Sequence, residues 1–271
     1  MKLHRGYGAF LLGALLAPLL GLIADAQAQT TDRVAAIKAR SGLDVCIWPA
    51  YYGISFRNPR DDVLRGIDID LARAFAKDLG VAVRFVDSSF ANFMSDLEEE
   101  RCDVAMFAIG DTPQRRARVD LSDPHMRSGL YAITTKTNAN VSNWSDIDKT
   151  GRVVAVQLGT IMEPMMRSYL KQAQLMLVEA PRTREDEVLS GRADVFITDF
   201  PYSVRMVALN NWARVLEAPK SAGETSYGYA VKQGQPAWLA RVNQFVGDIK
   251  RDGRLEAAAK EHGMTPIILR K

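Results

Sequence analysis

Arg115 and Asp199 are the two charged residues whose settings could do chemistry. Arg115 closes the segment Gly110-Asp111-Thr112-Pro113-Gln114-Arg115, just after an apolar run ending at Ile109. A guanidinium there offers a planar fork that can hold a carboxylate through two charge-assisted bonds. With Arg116 and Arg118 beside it, the alternative is a solvated arginine at a helix start. Asp199 directly follows the apolar run Asp194 to Thr198. Its carboxylate could accept a ligand ammonium, or cap a helix that Pro201 would begin. Gly159 and Thr160 sit at a turn between two periodic segments, where backbone N–H groups and a hydroxyl could hold an anion. The helix end would add about 0.3 to 1 kcal/mol; plain N-capping by Thr160 is the alternative. Tyr51 and Phe90 offer flat apolar faces for a ligand, or simple core.

These residues act together only if the fold brings them to one gap. Leu43 to Trp48 reads as a buried strand ended by Pro49, and a loop rich in turn residues follows. Helical spacing runs from Leu71 to Leu79 with Gly80 as the stop, Val81 to Val86 is strand-like, Phe90 to Glu99 is an amphipathic helix, and Cys102 to Ile109 is a strand. The alternation restarts with strands at Val153 to Gln157, Leu175 to Val178 and Asp194 to Thr198, and helices at Glu163 to Lys171 and Glu185 to Leu189. It implies two α/β sheets with parallel strands. Leu130 to Thr135 and Tyr227 to Val231 read as strands crossing between the halves, with Trp238 to Asp252 and Arg254 to His262 as helices returning to the first. Open parallel sheets bind ligands beyond the carboxyl ends of their strands, which is where Tyr51, Phe90, Gly110 to Arg115, Gly159, Thr160 and Asp199 fall.

Composition narrows the partners. Lys2 and Arg5, the apolar stretch Ala9 to Ile23 and the small residues at Ala26 and Ala28 have the layout of a secretory signal, with cleavage expected after Ala28. The stretch is shorter than the roughly 20 residues that a spanning helix needs. The formal charge is only +3, too weak and too dispersed to imply nucleic acid or a membrane surface. Three scattered His and two Cys give no zinc spacing, so no metal or cofactor is expected. In an oxidising compartment Cys46 and Cys102 could form a disulfide if their strands are neighbours; two buried thiols are the alternative.

The segment Gly66-Ile67-Asp68-Ile69-Asp70-Leu71-Ala72, the run Arg101-Cys102-Asp103-Val104-Ala105 with Thr112-Pro113-Gln114-Arg115, and Val119-Asp120-Leu121-Ser122-Asp123-Pro124 resemble signatures of the extracellular solute-binding proteins that serve polar amino acid ABC transporters. The resemblance covers nearly the whole mature chain. It implies a two-lobed periplasmic-binding-protein type II fold, two α/β lobes joined by two hinge strands: residues 29–127 with 228–271, and 128–227, after a signal at 1–28. It implies a periplasmic, monomeric binder of a small carboxylated solute, partnered by an inner-membrane permease. In that scheme Arg115 clamps the ligand carboxylate, Gly159 and Thr160 add donors, Asp199 takes the amino group, and Tyr51 and Phe90 sandwich the side chain. The two hydrogen-bonding positions before the arginine fall on Ala108 and Gly110; the family commonly has Ser or Thr at the second, so a hydroxyl contact is missing here, and Asp111 replaces an apolar residue.

Ser88 to Thr135 also resembles periplasmic cyclohexadienyl dehydratase, an enzyme of the same fold. That family carries a catalytic Glu three residues after the aspartate matching Asp199, where this chain has Tyr202, so the proton donor is missing and no enzymatic activity is expected. A third reading is a periplasmic accessory protein of a dehydrogenase system, docking on another protein.

Overall fold

The computed structural model describes residues 1–3 and 32–271, so most of the export segment read at 1–28 lies outside the described residues. Helix α1 (Arg33–Ala39) is started by the Asp32 carboxylate, which accepts N–H groups of Val34 and Ala35. Strand β1 (Gly42–Ile47) follows, then three short antiparallel strands, β2 (Ala50–Tyr51), β3 (Ser55–Arg57) and β4 (Leu64–Arg65), in the expected loop. Strands of two or three residues are too short to show a period. Next come α2 (Ile67–Leu79), β5 (Ala82–Asp87), α3 (Phe93–Glu98), β6 (Val104–Gly110), α4 (Pro113–Arg116) and β7 (Val119–Leu121).

The long β8 (Met126–Thr135) leads to β9 (Val153–Gln157), α5 (Met162–Tyr169), β10 (Gln174–Val178), α6 (Arg184–Leu189), β11 (Val195–Asp199), α7 (Phe200–Leu209) and β12 (Ala213–Glu217). Then β13 (Glu224–Lys232), α8 (Pro236–Arg251) and α9 (Arg254–His262) close the chain. In one half β1 pairs in parallel with β5 and β6; in the other β9 pairs in parallel with β10 and β11. The link is antiparallel: β8 pairs with β11 and β12, β13 with β6 and β7, and the two meet between Met126–Gly129 and Glu224–Tyr227. The result is two α/β lobes joined by two strands.

Burial on both faces explains why β6 reads as a continuous apolar run: all of its residues are buried. Phe75 of α2 stacks on Phe245 and Trp238 of α8, with ring centres 4.5 and 5.5 Å apart, which fastens the C-terminal helices to the first lobe. The Trp238 indole N–H donates to the Asp103 carbonyl at 2.9 Å. Cys46 of β1 and Cys102, just ahead of β6, are joined by a disulfide. Their strands are parallel neighbours, with Cys46 opposite Ala105. No helix among the described residues is long and apolar enough to cross a membrane.

Candidate functional site

A small cavity lies between the lobes, beyond the carboxyl ends of β1, β6, β9 and β11. Tyr51, Phe90, Ala108, Gly110, Arg115, Thr160 and Asp199 line it together.

Arg115 reaches it from α4, a helix capped by Thr112, whose hydroxyl oxygen accepts the Arg115 N–H at 3.2 Å. Its guanidinium lies between the Phe90 and Phe93 rings, 5.4 and 5.3 Å from their centres, and the residue is 4% exposed. Nη1 donates to the Gly110 carbonyl at 2.8 Å and Nη2 to the Gly159 carbonyl at 3.1 Å, so the side chain ties one lobe to the other. Among the described residues no carboxylate pairs with it. Burial lowers its pKa to about 10, which leaves it charged at neutral pH. The solvated role falls to its neighbours: Arg116 pairs with Asp111 and Arg118 with Glu98 at the surface.

Asp199 ends β11 and caps α7, accepting the Tyr202 N–H at 3.4 Å. It also accepts hydroxyl bonds from Tyr51, across the cleft, and from Tyr227 at 2.8 Å. Capping and facing the cavity therefore coexist. Only 1% exposed, its carboxyl is pushed up by burial against the opposing pull of the hydroxyl donors, the backbone N–H and the Arg184 charge. Burial and the neighbouring carboxylate in turn raise the Tyr51 and Tyr227 hydroxyls well above the usual phenol range.

Gly159 and Thr160 differ from expectation. The Gly159 N–H is not free but donates to the Glu163 carboxylate at 3.3 Å, and the Thr160 hydroxyl donates to the Gln157 carbonyl at 2.8 Å. Helix α5 starts at Met162 with Ile161 as its cap, so Thr160 does not cap it. Gly159 has φ +76°, and a Cβ there would stand 2.6 Å from the Ala91 nitrogen: the lobes meet backbone to backbone. A Cβ at Gly110 would lie 2.9 Å from Ile161 Cγ2 and 3.2 Å from Arg115 Nη1, so Ile161 of the second lobe occupies the space that a serine or threonine side chain would take.

Ala108 adopts φ +51°, and its N–H donates to Asp68 Oδ2 at 2.8 Å. Asp68, buried in α2, also accepts the Tyr229 hydroxyl at 3.0 Å. The first aspartate of Gly66-Ile67-Asp68-Ile69-Asp70 thus pins the end of β6 in a turned conformation where it enters the cavity. Tyr51 and Phe90 meet edge-on, 5.7 Å apart with planes at 69°, and form no parallel slot. The parallel pair is Trp48 and Tyr202, one from each lobe, at 11° and 6.5 Å.

Trp48, Arg184, Thr198 and Tyr227 also line the cavity and were not legible as site residues. Tyr227 could have been found from its place on a crossing strand. Arg184 could not, because the acidic run Glu185-Asp186-Glu187 behind it reads as a solvated face. Among the described residues no group of His, Cys, Asp and Glu could hold a metal.

The chain is 25% identical to the L-cystine-binding protein of Escherichia coli strain K12 over 225 residues, 83% of this chain and 84% of that one. It is 29% identical to cyclohexadienyl dehydratase of Pseudomonas aeruginosa over 182 residues, 66% of this chain and 68% of the enzyme. Among solved structures, an ancestral amino acid-binding protein described as a precursor of cyclohexadienyl dehydratase superposes with TM-score 0.77 at 32% identity, covering 84% of this chain and 98% of that one. The same ancestor is also described as a cationic amino acid solute-binding protein. Residues 43–265 match the bacterial extracellular solute-binding proteins, family 3, and the chain belongs to that family.

Proposed function

We propose that this protein is a periplasmic receptor that captures a small, carboxylated, amine-bearing solute between its lobes and delivers it to an inner-membrane ABC permease. The lobes would divide at residues 127/128 and 227/228, with β8 and β13 as the hinge strands. One observation carries the reading: Arg115 and Asp199, opposite charges on opposite lobes, are buried in one cavity and neither has an ion-pair partner among the described residues. A zwitterion supplies both missing partners and relieves the cost of leaving a buried charge uncompensated. Closure of the lobes over it would provide the affinity, about 8 kcal/mol for micromolar binding.

Binding is favoured over dehydration by Tyr202. By the resemblance it takes the place of the dehydratase's acid, and burial together with its bond to Glu185 raises its hydroxyl well above the usual phenol range, a poor proton donor at neutral pH. The test is a thermal-shift panel of amino acids, organic acids and opines. A true ligand at a hundredfold its Kd adds about 2.7 kcal/mol of stability, and Arg115→Ala should abolish the shift. Hits that survive in Arg115→Ala refute the carboxylate clamp, and turnover of prephenate to phenylpyruvate refutes the non-enzymatic reading.

A further inference from the structure

The cavity holds a second buried guanidinium that the receptor reading leaves unused. Arg184 opens α6 behind Thr183, whose hydroxyl caps the helix by accepting the Asp186 N–H at 3.1 Å. The side chain turns inward and the residue is only 3% exposed. Nη1 donates to the Ile197 carbonyl at 3.1 Å, and the guanidinium carbon lies 4.4 Å from the centre of the Tyr202 ring and 5.0 Å from that of Phe196. The acids next to it in sequence are engaged elsewhere: Glu185 with the Tyr202 hydroxyl, Asp186 with the Thr183 hydroxyl at 2.7 Å, and Glu187 with Arg192 at 2.5 Å. Among the described residues no carboxylate lies within ion-pair distance of Arg184. Asp199 feels its charge but bonds instead to Tyr51, Tyr227 and the Tyr202 N–H.

The fixed charges lining the cavity are therefore the cations Arg115 and Arg184 and the single anion Asp199. A simple zwitterion satisfies Arg115 and Asp199 and leaves Arg184 bare; a cationic side chain adds a like charge beside it. An amino acid with a second carboxylate closes the balance. Resting on the receptor reading, we infer that Arg184 is a specificity-determining residue that selects an amino diacid, its second carboxylate on the Arg184 guanidinium. This chain would then reject the cationic amino acids that its ancestral structural relative is described as binding.

Titration calorimetry on the mature chain with L-glutamate, L-aspartate, L-glutamine, L-asparagine and L-arginine tests this. Each diacid should bind at least tenfold more tightly than its amide, with L-arginine weakest. In Arg184→Gln the diacid advantage should shrink to within threefold while amide affinity holds, and Arg184→Lys should keep part of the advantage. Wild-type preference for an amide or L-arginine overturns the inference whether or not the variants fold, and so does an unchanged diacid-to-amide ratio in Arg184→Gln. If amides or L-arginine bind best and Arg115→Ala abolishes that binding, the receptor reading stands and only the role of Arg184 falls. If none of the five binds, the role of Arg184 falls, and the receptor reading is decided by the wider panel of organic acids and opines.

Discussion

Replacing Gly159 by alanine separates closure from folding. The new Cβ would lie 2.6 Å from the Ala91 nitrogen and 2.7 Å from Ala91 Cα and the Phe90 carbonyl carbon. These are main-chain atoms of the other lobe, which cannot rotate aside, so the gap must open by most of an ångström. Overpacking of this kind costs about 1 to 3 kcal/mol. The φ of +76° adds roughly 1 to 2 kcal/mol for any residue with a Cβ. The two costs fall on different equilibria: the backbone term burdens open and closed forms alike, whereas the overlap exists only when the lobes meet. A closed form disfavoured by about 2 kcal/mol lowers ligand affinity about 30-fold. Gly80→Ala is the matched control, since Gly80 has φ +73° with nothing within 4 Å of a Cβ, and it should lose stability without losing affinity. Calorimetry gives the affinity and small-angle scattering the ligand-induced compaction. A Gly159→Ala protein that binds and compacts like the wild type would falsify closure through this contact.

Two further predictions concern stability and pH. Replacing Cys46 and Cys102 together by alanine reopens a loop of 56-residue separation, which the chain-entropy account values at about 4 kcal/mol; urea denaturation should register most of it, and a loss below about 1 kcal/mol contradicts that account. For Asp199 the folded carboxyl is raised above its ordinary value by burial. The folded state therefore holds this proton more tightly than the unfolded one, and the group's contribution to stability is full below the ordinary carboxylate range and shrinks as pH rises through the raised value. A ligand ammonium needs the ionised form, so affinity should fall toward about tenfold per pH unit below the raised value, with proton release measurable by calorimetry in buffers of different ionisation heat. Affinity and proton count that stay flat from neutral pH down into the carboxylate range contradict an ammonium seat at Asp199.

What the sequence could convey followed from how much of the chain each signal involves. Strand β6 is buried on both faces and so is apolar throughout, and the strand and helix alternation around it repeats in the second half; patterns of this length survive reading without coordinates. Arg115 was legible because the ends of parallel strands are few. The disulfide was legible as a possibility because both cysteines sit at strands, although only the sheet order makes those strands neighbours. The rest depended on a single partner far away or badly placed. Glu163, four residues on, takes the Gly159 N–H. The Tyr51 hydroxyl turns to Asp199 and away from a sandwich with Phe90. Arg184 faces inward although an acidic run follows it in sequence, because Phe196 and Tyr202 offer their ring faces to the guanidinium.

The polar groups of the cavity also bond to one another across the cleft. Arg115 spends one bond on the Gly159 carbonyl, and Asp199 accepts one from Tyr51, each across the cleft. A ligand carboxylate must compete with that carbonyl and a ligand ammonium with that hydroxyl, so affinity is a difference between two sets of bonds. Hydrogen bonds to charged groups contribute about 1.5 to 3 kcal/mol, against roughly 0.5 to 1.5 for neutral ones, and the protein's own cross-cleft bonds already join a charged group to a neutral one. The ligand's advantage is that it makes both partners charged. An uncompensated charge costs most where burial is deepest, and Arg115, Arg184 and Asp199 are among the most buried charged residues of those described. On the proposed reading, the same arithmetic would disfavour any solute that leaves one of the three without a counter-charge, and the charge pattern of the ligand would be a property that this cavity reads.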